Sequence, residues 1–311
     1  MSKEDSKEEE AATSVEEEVC ANCGIAAAAG DDIKLKTCAC KLVKYCTVDC
    51  QKIHRSRHKK ACKMGLAKLR DDNLLKMPDG THLGECPLCF LPLSLDPELS
   101  SLFSCCSQMI CDGCSYANQM RDEESTANPK CPFCREPYAM SMEEAERNVA
   151  KRIKAGDPVA FRQKGIDAKM AGNYVVALDY LTKAAKMGDA VAHYVLGVMY
   201  HQGGGVEQDM KKAIHHYEEA AIGGHTEARH NLGTIENNNY LRYERAVKHY
   251  IIAASLGFDR SLSALQDLYK NGKVKKEDLA AAYRAHHAAV EATKSSQREE
   301  AKGAATVVNG I

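Results

Sequence analysis

Fifteen cysteines fall between residues 20 and 134, and the rest of the chain contains none. They come in close pairs: Cys20/Cys23, Cys38/Cys40, Cys46/Cys50, Cys86/Cys89, Cys105/Cys106, Cys111/Cys114 and Cys131/Cys134, with Cys62 left over. His54 and His58 lie on the four-residue spacing that joins Cys46, Cys50 and Cys62, the repeat of one helical face. No apolar run approaches the roughly 18 residues of a membrane span, and the acidic start is not that of a signal peptide. The expected setting is intracellular, in cytoplasm, nucleus or both. There, cysteines spaced this way are expected to hold metal rather than disulfides.

The charge balance of −1 hides an uneven distribution. Residues 1–19 carry eight acids and two lysines and read as a disordered acidic tail. Residues 33–70 carry twelve Lys/Arg against Asp49. Such a basic stretch could meet phosphate, but Tyr45 alone does not interleave it with aromatics for base stacking, so nucleic acid is not the expected partner. A charged linker, 63–85, runs through the turn at Pro78-Asp79-Gly80 and separates the two cysteine groups.

The first group, with Tyr45 before Cys46 and Gln51 after Cys50, resembles the MYND zinc finger over 20–62. The resemblance implies one zinc on Cys20, Cys23, Cys46 and Cys50. It implies a second on Cys38, Cys40, His58 and Cys62, with His54 a non-ligand. The family's usual Trp is replaced by Arg55, and Cys38-x-Cys40 is one residue tighter than its usual pair. The second group, ending in Cys131-Pro-Phe-Cys134-Arg135, resembles an all-cysteine RING over 86–134. By that resemblance Cys86, Cys89, Cys111 and Cys114 share one zinc, and Cys105, Cys106, Cys131 and Cys134 the other. Gln108 stands where many RINGs put histidine. Sixteen ligands then fill about four tetrahedral zinc sites. No thiol is left to act as a nucleophile, and closed sites leave no position for activated water.

Beyond 141 the chain becomes alanine-rich, opening on Ser141-Met-Glu-Glu144, a capping-box pattern. Ala177, Ala213 and Ala246 are followed at +7 by Ala184, Ala220 and Ala253, and at +11 by Gly188, Gly224 and Gly257. Leu196, Leu232 and Leu265 keep the same register. Helices ending on a glycine, repeated every thirty-odd residues, predict an all-α solenoid over 141–292. The stretch Leu196-Gly197 to Gly224 resembles the Sel1-like repeat. Gly203–Gly205 lacks the Gly-Lys-Ser/Thr of a phosphate loop and falls where that repeat places its inter-helix loop. Residues 293–311 read as a disordered tail.

The expected fold is therefore two small zinc-stabilised cross-brace modules followed by a helical-repeat solenoid. The three motifs in this order resemble a group of diatom and related algal proteins. RINGs act by holding a charged ubiquitin-conjugating enzyme. That resemblance assigns its contacts to Leu88, Pro132 and Phe133, and makes Arg135 the residue that bridges enzyme and ubiquitin. A planar guanidinium suits such bridging. MYND fingers bind short proline-containing peptides, and Sel1-like arrays bind proteins, so both imply protein partners. The expected function is a RING-type ubiquitin ligase without a covalent catalytic residue. The alternatives are a non-catalytic scaffold and a MYND-type transcription-related regulator.

Overall fold

The computed structural model describes residues 19–25, 34–124 and 130–309. The acidic tail expected over 1–19 lies outside them, Val19 excepted. The chain divides into two compact units between Asn73 and Leu74.

In the first unit, β1 (Lys36–Thr37) and β2 (Lys44–Tyr45) form a short antiparallel ladder, with Lys36 opposite Tyr45. Helix α1 (Val48–Leu74) follows. It contains one glycine and no proline, so nothing in its sequence stops it early. The core consists of Cys20, Cys38, Cys40 and Tyr45. So few apolar side chains cannot hold a fold, and metal binding must supply the difference.

The second unit begins with a small module. Strands β3 (Ser100–Phe103) and β4 (Gln108–Cys111) pair antiparallel, Ser100 opposite Cys111, and α2 (Asp112–Glu124) follows at once. Next come α3 (Met142–Lys154), α4 (Pro158–Met170), α5 (Tyr174–Lys186), α6 (Ala190–Gln202) and α7 (Met210–Ile222). Then come α8 (Thr226–Asn238), α9 (Tyr243–Ser255), α10 (Asp259–Lys270), α11 (Lys276–Ala292) and α12 (Ser296–Asn309). Neighbours pack as α4 on α5, α6 on α7 and α8 on α9. Side-chain oxygens of Asp157, Asp189 and Asp209 accept from first-turn amides of α4, α6 and α7. Gly188, Gly224 and Gly257 take the left-handed conformation that ends α5, α7 and α9. The six repeat alanines are all fully buried. At α3 the expected capping box forms one of its two bonds. Ser141 Oγ accepts from the Glu144 amide at 3.2 Å, while the Glu144 carboxylate takes the amide of Met140 at 2.8 Å.

Two expectations about boundaries need correction. The segment 63–85 is not a free linker, because α1 continues to Leu74 and the residues after it are docked on the repeats. Leu74 is buried, and its carbonyl accepts from Arg229 Nη1 at 2.6 Å. The His82 amide donates to the Gly224 carbonyl at 3.1 Å, and its ring stacks on His225 at 4.1 Å. Gly224 is needed twice here: its φ is +81°, and a Cβ would lie 2.5 Å from the Gly80 carbonyl oxygen. Nor are the described residues of 293–311 a disordered tail, since Ser296–Asn309 is helical and packs on α2, with Ala301 buried. Gln, Arg, Glu and Ala are good helix formers, and burial against α2 supplies what a lone helix lacks.

Candidate metal centres

The same turn recurs at four of the seven close pairs. The residue after the second cysteine donates its amide to the carbonyl of the first: Gly24 to Cys20 (2.9 Å), Phe90 to Cys86 (2.9 Å), Arg135 to Cys131 (3.0 Å) and Lys41 to Cys38 (2.8 Å). The first cysteine's amide in turn bonds a carbonyl further along, that of Ile25, Leu91, Glu136 or Val43. Closing the turn requires a left-handed residue at the position after the pair. Gly24 takes it freely, whereas Lys41, Phe90 and Arg135 adopt φ of 60°, 58° and 65°, a local strain of about 1–2 kcal/mol each. Such a turn points two sulfurs to one side.

The structure gathers sixteen side chains into four groups, with ligand atoms in each lying within 4.8 Å of one another. Cys20, Cys23, Cys46 and Cys50 form the first, and Cys38, Cys40, His58 and Cys62 the second. Cys86, Cys89, Cys111 and Cys114 form the third, and Cys105, Cys106, Cys131 and Cys134 the fourth. Sγ–Sγ separations are 3.5 Å for Cys23–Cys46, 3.7 Å for Cys38–Cys62, 3.7 Å for Cys89–Cys111 and 3.8 Å for Cys106–Cys131. Zinc–thiolate bonds of about 2.3 Å in a tetrahedron put sulfurs about 3.8 Å apart, whereas a disulfide needs about 2.05 Å. The donor set and its spacing therefore fit zinc, and all fifteen cysteines are free thiols.

Backbone amides of Cys23 and Cys46 hold the Cys20 thiol down to about 6, while hydrogen bonding to Cys23 pushes Cys46 up to about 12. Burial likewise drives Cys106 up to about 12. A divalent cation would displace the protons of the thiols it binds.

His58 and His54 part company on α1. His58 Nε2 lies 3.1 Å from Cys40 Sγ inside the second group, whereas His54 Nδ1 meets the Tyr45 hydroxyl at 3.0 Å. Adjacent Cys105 and Cys106 both reach the fourth group because the β3–β4 turn is tight: the Cys106 and Ser107 amides both donate to the Phe103 carbonyl, and Ser107 has φ 57°.

Around the third and fourth groups, Leu88 and Phe133 are exposed, but Pro132 is buried and offers a partner nothing. Phe90, which the spacing did not single out, is 72 % exposed beside Leu88. The Arg135 side chain is exposed, and its Nη1 donates to Asn118 Oδ1 at 3.1 Å. That oxygen also accepts from Arg121 Nη2 at 2.6 Å. Neither Asn118 nor Arg298 was singled out by the sequence, because the cysteine spacing marks ligands and says nothing of the side chains that pack beside them.

The site and fold define a class: a zinc-finger protein with a helical-repeat solenoid. The family model of the MYND finger matches residues 20–62, and that of the Sel1 repeat matches 160–189, 190–225 and 227–258. Zinc is the metal of such a finger. The curated relatives are the "DAP3-binding cell death enhancer 1" proteins of Rattus norvegicus and Mus musculus. The first is 25% identical over 44% of this chain and 34% of its own; the second is 25% identical over 52% and 39%. The chain thus spans under two fifths of their length. Among solved structures, a protective antigen with an SLR fold from uropathogenic Escherichia coli strains is 28% identical over 48% of this chain and 33% of its own, with TM-score 0.40. A Sel1 repeat protein from Oxalobacter formigenes is 24% identical over 56% and 71%, with TM-score 0.41. Among the described residues, no helix is long and apolar enough to cross a membrane.

Proposed function

We propose that the chain binds four zinc ions, one in each group named above, in a MYND module at 20–62 and a RING-type module at 86–134. We further propose that it works as a RING-type ubiquitin ligase inside the cell, in cytoplasm, nucleus or both. The observation that carries the reading is the interleaving in residues 86–134, where the first pair gathers with the third and the second with the fourth. Leu88 and Phe133 stand exposed on the two outer turns, where a conjugating enzyme would seat. Exposed Phe90 enlarges that apolar surface, and the solenoid at 141–292 and the MYND module would recruit protein partners.

Two measurements test the reading. Metal analysis of the intact chain should give close to four zincs, and two would refute the second module. With ubiquitin, activating enzyme and a panel of conjugating enzymes, the chain should form ubiquitin chains. Arg135→Ala should cut ubiquitin discharge with zinc content unchanged, and Leu88→Ala should weaken enzyme binding. The non-catalytic scaffold is the second reading, favoured by one observation: Arg135 already donates to Asn118 within its own module. Inactivity of the wild type across the panel would establish it.

A further inference from the structure

Arg298, on α12, reaches into the module of residues 86–134. Its Nη1 donates to the carbonyls of Pro92 (2.7 Å) and Thr293 (2.6 Å). Its Nη2 donates to the Leu91 carbonyl (3.2 Å) and to Cys89 Sγ (3.4 Å). Three of these acceptors lie in, or directly after, the turn that carries Cys86 and Cys89. The approach depends on Gly113, between Cys111 and Cys114. A Cβ there would lie 2.9 Å from Arg298 Cγ and 3.0 Å from its Cα and N. Two features more than a hundred residues apart thus bring one guanidinium onto one thiol.

We infer that Arg298 is a positioning residue for the Cys86/Cys89/Cys111/Cys114 centre, shielding its Cys89 sulfur from electrophiles. The inference rests on the four-zinc reading. Four thiolates on one Zn²⁺ carry two negative charges in excess, and an N–H···S bond from a fixed cation draws density off the sulfur it touches. Groups just outside a metal's ligands typically change its retention about 10–100-fold. The planar fork also holds Leu91 and Pro92, so the sulfur cannot turn away from its partner without breaking the other bonds.

The test is site-resolved alkylation of the intact, zinc-loaded chain with iodoacetamide. The cysteine sulfur forms an S–C bond as C–I breaks, and iodide leaves with the electron pair. Mass spectrometry reads the rate at Cys89 against that at Cys134, the matching position in the other centre. Arg298→Met should raise the Cys89 rate about tenfold with Cys134 unchanged, and Arg298→Lys, which keeps the charge, should restore much of the protection. With cobalt in place of zinc, the sulfur-to-metal charge-transfer band should shift to lower energy in Arg298→Met, a change that loosened packing alone does not give. An unchanged Cys89/Cys134 ratio overturns the inference, as does equal acceleration at both cysteines, which is what loss of fold produces. Fewer than four zincs in the wild type would instead overturn the underlying reading, and the two failures are told apart before any variant is made.

Discussion

Gly197→Ala sets two effects of opposite sign against each other. Gly197 lies in the middle of α6, where alanine is better than glycine by about 1 kcal/mol. A Cβ at that point, however, would stand 2.6 Å from Cδ1 and 2.7 Å from Cε1 of Tyr217 on α7. The Tyr217 ring is buried, and its hydroxyl is tied to His201 Nδ1 at 3.2 Å, so it is held at both ends. Overpacking of this kind costs about 1–3 kcal/mol, and the clash should win by about 1 kcal/mol. The next repeat has the same arrangement, where a Cβ at Gly233 would lie 2.8 Å from Cε1 of Tyr250. In a Tyr217→Ala background the obstruction is gone, and the same substitution should become stabilising by about 1 kcal/mol through propensity alone. Gly303→Ala, in open space on α12, should gain stability in either background. Urea unfolding of the zinc-loaded chain, followed by circular dichroism at 222 nm, gives all the values. If Gly197→Ala stabilises the wild type, or if its sign does not change when Tyr217 is removed, the packing argument fails.

Two further predictions follow from named side chains. His58→Ala should lower the zinc content by one ion, while His54→Ala should keep all the metal and lose the Tyr45 bond, worth about 1 kcal/mol, and the stacking on His58; elemental analysis and thermal unfolding distinguish them. His249 is fully buried with neither ring nitrogen bonded, and burial chiefly pushes its pKa down to about 3. Its folded value lies below the unfolded one, so the unfolded chain binds the extra proton, and stability is lost as pH falls from about 6.5 towards 3. His249→Leu should therefore raise the Tm more at pH 5 than at pH 7, and an equal effect at both would contradict the assignment.

What was legible in the sequence is what depends on short spacing. Cysteine pairs, and glycines set eleven residues after an alanine, are local signals, and local geometry fixes what they do. The choice between His54 and His58 was not local. Both stand on the α1 face with Cys50 and Cys62, and what occupies His54 is the hydroxyl of Tyr45 on β2. Left-handed Lys41, Phe90 and Arg135 were equally hidden. The pair's hydrogen bonding imposes that conformation, and no residue preference advertises it. Hardest to foresee were Leu74 on Arg229 and Arg298 on Cys89, since each joins segments that read as linker or tail by composition alone.

Those two contacts change what the second unit can do. A RING-type module on a free linker would meet its partners at an effective concentration set by linker length. Here the chain entering the module is fixed at His82 on Gly224 and His225, and α12 holds it again through Arg298. These two anchors tie the module to the helical array. On the ubiquitin-ligase reading, a protein bound along the solenoid would face the conjugating enzyme at one distance and one angle, a gain in orientation rather than in reach. Selectivity would then extend to which lysine of a partner is modified, because only those lying within that fixed gap could be attacked.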